Sequence, residues 1–199
     1  MRLALVLAGI VLLLAGCAGT PDGPGRAAVS SGERPAAAGV VPVSLRVPAI
    51  GVDEREVLSL GVAPDGTAEV PQDFARVGWF DRTLSAWRRG ATPADVAIPA
   101  GRGPTVLLGH VDSRRGPAVF FRLRDLRPGD VVEVGRSDGS VARYAVERTE
   151  QVAKDVFPTF AVFGATATDV LRLVTCAGDF DRGERSYTDN LVVHATRVS

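Results

Sequence analysis

The stretch LRLVTCAG, residues 171–178, is an apolar run that ends at a cysteine followed by two small residues. Its length and its aliphatic side chains predict a β-strand over residues 170–174. An unpaired cysteine is usually a small buried hydrophobic residue, but Cys176 stands where the predicted strand gives way to a polar loop. A partly exposed thiol near positive charge can become a reactive thiolate. Cys176 is therefore a candidate nucleophile.

A second apolar strand ends at a histidine. The stretch TVLLGHVDS, residues 105–113, places His110 directly after a strand and its terminal glycine. A histidine in this position can face a cleft, although a surface histidine without a role fits the sequence equally well. His194 falls inside the last apolar segment, residues 191–198, so we expect it to be structural or exposed.

The rest of the domain also reads as short strands. Alternating or apolar segments occur at residues 43–48, 50–52, 56–58, 67–71, 77–80, 131–134 and 141–146, and the last two flank a turn-rich hairpin connection. Helical signals are limited to single turns at residues 83–89, 119–126 and 159–164. Many short strands punctuated by Pro and Gly predict an all-β barrel or sandwich.

Composition excludes several functions. The chain has 199 residues, a formal net charge of zero and 46% hydrophobic residues, which suits one globular domain. The basic residues form no cluster, which argues against nucleic-acid binding. The two cysteines, Cys17 and Cys176, are too few for a disulfide framework. The chain has two histidines and no close ligand spacing, so we expect neither a metal nor a cofactor.

The N-terminus predicts export. A positive start precedes an apolar run over residues 3–15, which is short for a membrane span and typical of a secretory signal. The run ends in Leu-Ala-Gly-Cys at residues 14–17, which resembles the lipobox of bacterial lipoproteins. We expect residues 1–17 to be a lipoprotein-type signal with a lipid on Cys17, which would tether the chain to the membrane. An ordinary cleaved signal is the alternative.

A Gly, Pro, Ser and Ala-rich segment follows the signal. Residues 18–42 contain no aliphatic periodicity and predict a flexible linker, which leaves residues 43–199 as the folded domain.

Two arginines follow Cys176 in a polar segment, residues 179–190. Arg182 and Arg185 can return to the end of the fold that carries Cys176 if the strands before and after this segment are adjacent.

Together these segments resemble the sortase family, and most closely its class F. The resemblance rests on Gly-His-Val-Asp-Ser at 109–113, Leu-Val-Thr-Cys at 173–176, Phe-Asp at 180–181 and Arg-x-Tyr-x-x-Asn at 185–190. It covers residues 43–199. Two departures are Ala177 in place of a glycine, and Asn190 where many other sortases carry an arginine.

The resemblance implies a closed eight-stranded β-barrel and a cysteine transpeptidase. Cys176 would attack an LPxTG-like sorting signal of a surface protein, and an amine acceptor such as a cell-wall precursor would resolve the thioacyl enzyme. His110 would act as acid and then as base. Arg185, or Arg182 in its place, would donate a hydrogen bond to the substrate carbonyl or oxyanion.

The resemblance also places the substrate groove. Thr175 would contribute to it, and Val156, Phe157 and Pro158 would line one wall, although core packing of these apolar residues is an equal alternative. Two rival functions stay open. One is another exported cysteine acyl-transfer enzyme, such as an L,D-transpeptidase, which would want a His-Gly-Cys arrangement that is missing here. The other is a catalytically inactive lipoprotein that binds a partner through a sortase-like barrel.

Overall fold

The computed structural model describes residues 39–82 and 103–198. These residues contain eleven β-strands. All of these residues belong to the compact unit Ala36–Ser199. The strands are β1 (Pro42–Val47), β2 (Val52–Glu54), β3 (Leu58–Leu60), β4 (Gly78–Phe80), β5 (Thr105–Leu108), β6 (Asp112–Ser113), β7 (Gly116–Pro117), β8 (Val131–Arg136), β9 (Val141–Ala153), β10 (Val170–Asp181) and β11 (Ser186–Arg197).

Nine of these strands form one curled sheet. Their order is β2-β1-β8-β9-β11-β10-β5-β4-β3, and β6 pairs with β7 in a separate small hairpin. Most neighbours are antiparallel, but β5 runs parallel to β10 and β3 runs parallel to β4. The sheet is therefore mixed, and its long central strands β9, β10 and β11 lie side by side.

The expected closed, eight-stranded barrel is wrong in both respects, although the all-β class is confirmed. The sheet has nine strands and is open, with β2 and β3 at its two edges. Each edge strand has three residues and pairs on one side only. Short edge strands of this kind also limit unwanted pairing with other chains.

Two apolar clusters lie on opposite faces of the sheet. Alternate residues of β10 separate them, because successive side chains of a strand point to opposite faces. Leu171 and Leu173 belong to the main core inside the curl, with Leu45, Phe120, Tyr144 and Val193 among its members. Val174 belongs to a second cluster on the outer face, which also contains Leu60, Val106, Leu108, Val162 and Val192.

The second cluster is covered by the segment between β9 and β10. This segment contains a 3-10 turn, Lys154–Val156, which the sequence did not predict, and the helix α1, Thr159–Phe163, which confirms the turn predicted at residues 159–164. Val162 of α1 is buried in the cluster, and Phe157 and Phe163 pack against it. Burial of one such valine stabilises the fold by roughly 1.5–3 kcal/mol, which holds α1 against the outer face.

The polar segment after Cys176 is not a loop. β10 continues to Asp181 and β11 begins at Ser186, so residues 179–190 are mostly the outer half of a long hairpin. Both faces of this half are largely exposed, so its strands lack the apolar alternation that would have revealed them. The prediction that Cys176 ends its strand is therefore wrong.

Other local predictions have mixed outcomes. The hairpin of β8 and β9 is confirmed, with β9 longer than expected. The turn predicted at 119–126 contains a 3-10 helix, Leu123–Asp125, whereas the strand predicted at 67–71 is reduced to a single bridge between Val62 and Ala68. His194 is 4% exposed and its Nε2 lies 2.9 Å from Glu150 Oε2, which confirms a structural position.

Several predictions concern residues outside the described ranges. These are the signal at 1–17 with Cys17, most of the linker at 18–42 and the helical turn at 83–89. In the described ranges, no helix combines the length and apolar character needed to cross a membrane.

Candidate active site

His110 and Cys176 lie at the ends of the core-packed parts of two adjacent parallel strands. Leu108 of β5 pairs with Val174 of β10, and the backbone N–H of Gly109 donates to the carbonyl of Val174 at 3.2 Å. His110 and Cys176 each follow the last paired residue by two positions. Neighbouring strands are about 4.8 Å apart, so both residues lie at the same end of this strand pair.

The same level continues across the next two strands. Cys176 pairs with Asn190 of β11, and Asn190 pairs with Val152 of β9. We call His110, Cys176, Asn190 and Val152 the site row. Because alternate residues share a face, the site row lies on the outer face, one step beyond Leu108, Val174 and Val192 of the second apolar cluster.

The imidazole of His110 is held by the connection between β3 and β4. Its Nε2 lies 2.8 Å from the carbonyl oxygen of Pro71, and its ring packs on Phe74 with centroids 4.3 Å apart. A hydrogen bond from Nε2–H to this carbonyl leaves Nδ1 with a lone pair. The half-buried imidazole is therefore oriented and has one nitrogen free to take a proton.

Gly109 explains how the chain passes from β5 to His110. A Cβ atom at this position would come within 2.8 Å of both Val119 and Phe120. The backbone N–H of Phe120 donates to the carbonyl of His110 at 2.9 Å. The glycine thus allows the histidine segment to pack directly against a buried aromatic residue.

The Cys176 thiol is half-buried, and its surroundings shift its pKa in opposing directions. Burial has the largest effect, and it raises the pKa of Cys176 because it disfavours the charged thiolate. The positive charge of Lys154 and its hydrogen bond to the thiol lower this pKa, while the negative charge of Asp112 raises it. The net direction is upward, so the thiol is predominantly protonated at neutral pH.

Asp112 is joined to Tyr187 on β11. The Tyr187 hydroxyl donates to Asp112 Oδ2 at 2.6 Å, and this bond is the main reason that the pKa of Tyr187 is raised to about 12. The negative charges of Asp112 and of the Cys176 thiolate also raise it. The bond ties the segment after His110 to the strand that pairs with Cys176.

A β-bulge follows Cys176 directly. Ala177 pairs with Asp189 and Phe180 with Tyr187, so β10 contains one extra residue between these pairs. Gly178 has a φ of 79°, and a Cβ there would lie 2.4 Å from Thr188 Oγ1. Bulges bend a strand and re-aim its side chains, commonly beside functional sites. The glycine therefore sets the direction in which the hairpin leaves the site.

The structure does not bring Arg182 or Arg185 into the site row. Both are exposed in the turn that joins β10 to β11, and Arg185 has a φ of 52°. Arg185 precedes Asn190 by five residues and lies between the two strands of the hairpin, after Asp181 and before Ser186.

The residues expected to bind substrate take different positions. Thr175 is 5% exposed and alternates with Cys176, so its side chain points towards the main core rather than the site row. Val156 is 69% exposed, and Phe157 and Pro158 are half-buried beside it. Phe160 of α1 is 83% exposed. Val156, Phe157, Pro158 and Phe160 form what we call the apolar ledge.

Sequence reasoning missed three residues around the thiol. Lys154, Asp112 and Tyr187 are far apart in sequence and meet only because β9, β11 and the β5–β6 segment converge at the site row. The available signals were that Lys154 is the only lysine and that Asp112 follows His110 by two residues.

The family comparison decides the fold family. A family model described as the sortase domain matches residues 45–198, which is most of the chain. This chain belongs to the sortase family. The family consists of cysteine transpeptidases that are generally extracytoplasmic and associated with the cell surface.

Solved sortases share the fold of this sortase domain. Sortase A of Corynebacterium diphtheriae, as a lid mutant, superimposes with a TM-score of 0.52 and 19% identity, covering 80% of this chain and 70% of that one. Sortase A of Listeria monocytogenes superimposes with a TM-score of 0.52 and 16% identity, covering 80% of this chain and 88% of that one. Sortase D5 of Clostridium perfringens superimposes with a TM-score of 0.51 and 16% identity, covering 79% of each chain. These likenesses show the fold and leave class F as a proposal. The comparison with curated proteins gave no significant match.

Proposed function

We propose that this sortase is an exported transpeptidase that cleaves an LPxTG-like sorting signal and transfers the protein to an amine at the cell surface. The site row carries the proposal. The paired parallel strands β5 and β10 end their register at Leu108 and Val174, two residues before His110 and Cys176, and this supports the juxtaposition that a thiol nucleophile and its base require. The class F motif around these residues supports the same assignment.

In the proposed first half-reaction, His110 takes the proton of the Cys176 thiol. The thiolate attacks the carbonyl carbon of the Thr–Gly peptide bond, and the C–N bond of that peptide breaks. The imidazolium gives its proton to the departing amine, which leaves a thioester between Cys176 and the threonine carbonyl. This route divides one difficult acyl transfer into two easier steps.

In the second half-reaction, an amine of the acceptor attacks the thioester carbonyl. His110 accepts the proton that the amine loses, the C–S bond breaks, and the thiolate recovers its proton from the imidazolium. The free enzyme is regenerated, and an amide bond joins the surface protein to its acceptor. We propose a cell-wall precursor as that acceptor.

The apolar ledge supports a Leu-Pro recognition site. Val156 and Phe160 are large apolar side chains that are 69% and 83% exposed, and exposed apolar patches often mark binding sites. Lys154, which contacts the thiol, begins the 3-10 turn that contains Val156. A peptide on the ledge would therefore lead towards Cys176. Thr175 would contribute indirectly, because its buried side chain holds β10 in position beside Cys176.

Arg185 is proposed as the donor to the substrate carbonyl, with Arg182 as its replacement. Because Arg185 lies at the hairpin tip, this role requires the tip to bend towards the site row when the peptide binds. The bulge at Gly178 supplies a point at which the hairpin can bend.

Location completes the proposal. Residues 1–17 would direct export, a lipid on Cys17 would tether the chain to the outer face of the cell membrane, and residues 18–42 would separate the catalytic domain from the bilayer. Labelled fatty acid should be incorporated into the wild-type protein and not into Cys17→Ala.

A peptide-library assay with an added amine, such as triglycine, tests the activity. We expect cleavage of an LPxTG-like subset between Thr and Gly, amide formation with triglycine, and loss of both in Cys176→Ala. A protein that cleaves no such peptide, while its thiol reacts with iodoacetamide, would contradict the proposal. One observation favours the inactive binding module as second candidate: burial raises the pKa of Cys176, and the same assay would then show peptide binding without turnover.

A further inference from the structure

We propose that Lys154 is a further catalytic residue: its ammonium group lies beside the Cys176 sulfur and stabilises the thiolate that attacks the substrate. The inference rests on the proposed function for its catalytic meaning. Its physical content, the pairing of this cation with this thiolate, can be measured without any peptide substrate.

Position is the first argument. Lys154 follows the last residue of β9 and lies two residues beyond Val152 of the site row. Its Nζ donates to the Ser186 hydroxyl at 2.7 Å, and its positive charge lowers the pKa of the Cys176 thiol. The lysine therefore reaches from the end of β9 across β11 towards Cys176 on β10.

The orientation of Ser186 is the second argument. Its hydroxyl donates to the carbonyl of Tyr187 at 3.3 Å, so its oxygen lone pairs are turned towards Lys154. A lysine ammonium has three N–H donors and no acceptor. One donor is used on Ser186, which fixes the ammonium while the others are free for the sulfur.

The third argument concerns charge. Among the described residues no carboxylate forms an ion pair with Lys154, and its interactions are those with Ser186 and Cys176. An ammonium without an acidic partner keeps its full electrostatic effect on a nearby thiolate. Arg182 and Arg185, the cations that the sequence suggested, lie at the hairpin tip instead.

Residue type is the fourth argument. Lys154 is the only lysine among the 23 basic residues of the chain. Lysine is a compact point charge on a flexible stem, whereas arginine brings a larger planar group. Lys154 therefore brings a single point charge to this part of the fold.

The chemical step is simple. The S–H bond of Cys176 breaks, the proton goes to His110, and the thiolate that remains is paired with the Lys154 ammonium, which keeps all its protons. Three other groups face the sulfur or lie level with it: Asp112 and Tyr187, which form their own hydrogen bond, and His110. The negative charge of Asp112 destabilises the thiolate, and the positive charge of Lys154 stabilises it.

The test is the rate of iodoacetamide alkylation of the full chain from pH 6 to pH 11, quantified by mass spectrometry on the peptide that contains Cys176. In Lys154→Met we expect the apparent pKa of Cys176 to rise by about one unit, which makes alkylation roughly tenfold slower at a fixed pH below that pKa. Lys154→Arg keeps the charge and should recover most of the wild-type profile.

A variant that is expected to shift the pKa of Cys176 in the opposite direction controls for misfolding. Asp112→Asn removes a negative charge near the thiol and should lower the apparent pKa of Cys176, so alkylation becomes faster. A general loosening of the fold would shift both variants in one direction, whereas the electrostatic account requires opposite directions.

Coincident profiles for the wild type and Lys154→Met, or equal slowing in Lys154→Arg and Lys154→Met, would overturn the inference. The outcome is separate from that of the proposed function. A shift in Lys154→Met without any peptide cleavage would refute only the transpeptidase activity, and cleavage with an unshifted profile would refute only the role of Lys154.

Discussion

The two halves of the β10–β11 hairpin differ in what holds them. The inner half, up to Cys176, is clamped between the main core and the second apolar cluster by residues such as Leu173 and Val174. The outer half has largely exposed faces and is held by its ladder, by the bulge at Gly178 and by the Tyr187–Asp112 bond. The reactive thiol lies at the junction. The inner half fixes its position, while the outer half carries Tyr187, which donates to Asp112 near the thiol.

The largest effect should come from the junction itself. Cys176→Ala removes the nucleophile, so peptide turnover should fall to background, because covalent catalysis has no substitute thiol in the described domain. The side chain is small and half-buried, so the melting temperature should change little. Turnover that persists in a well-folded Cys176→Ala protein would show that the junction is not the reacting centre.

The hairpin tip should give the next largest effect. If the tip bends onto the bound peptide, Arg185→Ala should lower kcat/KM by about 10²–10³, the usual cost of one lost donor to an oxyanion. Alkylation of Cys176 without peptide should be unchanged, because Arg185 lies in the exposed turn and is not among the groups that shift the pKa of Cys176. Arg182→Ala is the matched control, and a loss confined to that variant would reverse the assignment.

The free energy of unfolding should also differ between substitutions near the junction and substitutions at the tip, but this effect is smaller. Gly178→Ala forces a side chain into a positive-φ position against Thr188 and Asp189, which should cost about 1–3 kcal/mol of unfolding free energy. Gly183→Ala in the turn meets only Asp181 Oδ1 at 3.2 Å and should cost less. Urea denaturation of the two variants measures the difference, and equal costs would mean that the bulge is unstrained.

The smallest effect is on the pH profile of the wild-type thiol. Because burial raises the pKa of Cys176 in the folded protein, alkylation should be slow at neutral pH and should rise with pH to a midpoint above that of the urea-unfolded chain. This thiol contributes stability below its unfolded-state pKa, and the contribution is lost as the pH rises towards its folded-state pKa. A folded-state midpoint at or below the unfolded one would contradict the burial argument.

The sequence was informative where apolar alternation was strong. The strands around Leu107 and Leu173 came from short apolar runs that lead to His110 and Cys176, whereas the pairing of these two residues was implied only by the family resemblance. The family resemblance gave the all-β class correctly but not the open sheet, because closure depends on whether the short strands β2 and β3 meet, which no local pattern encodes.

The outer hairpin and the surroundings of the thiol were the parts that sequence could not supply. Residues 179–190 form strands whose two faces are both largely exposed, so the usual signal for a strand is absent. Lys154 reaches Cys176 across β11 only because of the register between β9, β11 and β10. Contacts of this kind depend on long-range pairing, which single-residue patterns do not reveal.

The most direct test of the central claim is the intact mass of the enzyme during turnover of an LPxTG-like peptide, measured after an acid quench. We expect the wild-type protein to gain the mass of the acyl fragment up to threonine, and we expect hydroxylamine to release it, as a thioester at Cys176 requires. The adduct should be absent from Cys176→Ala and should accumulate when no amine acceptor is added. Cleavage of the peptide without any adduct, or an adduct that maps to a residue other than Cys176, would contradict the account.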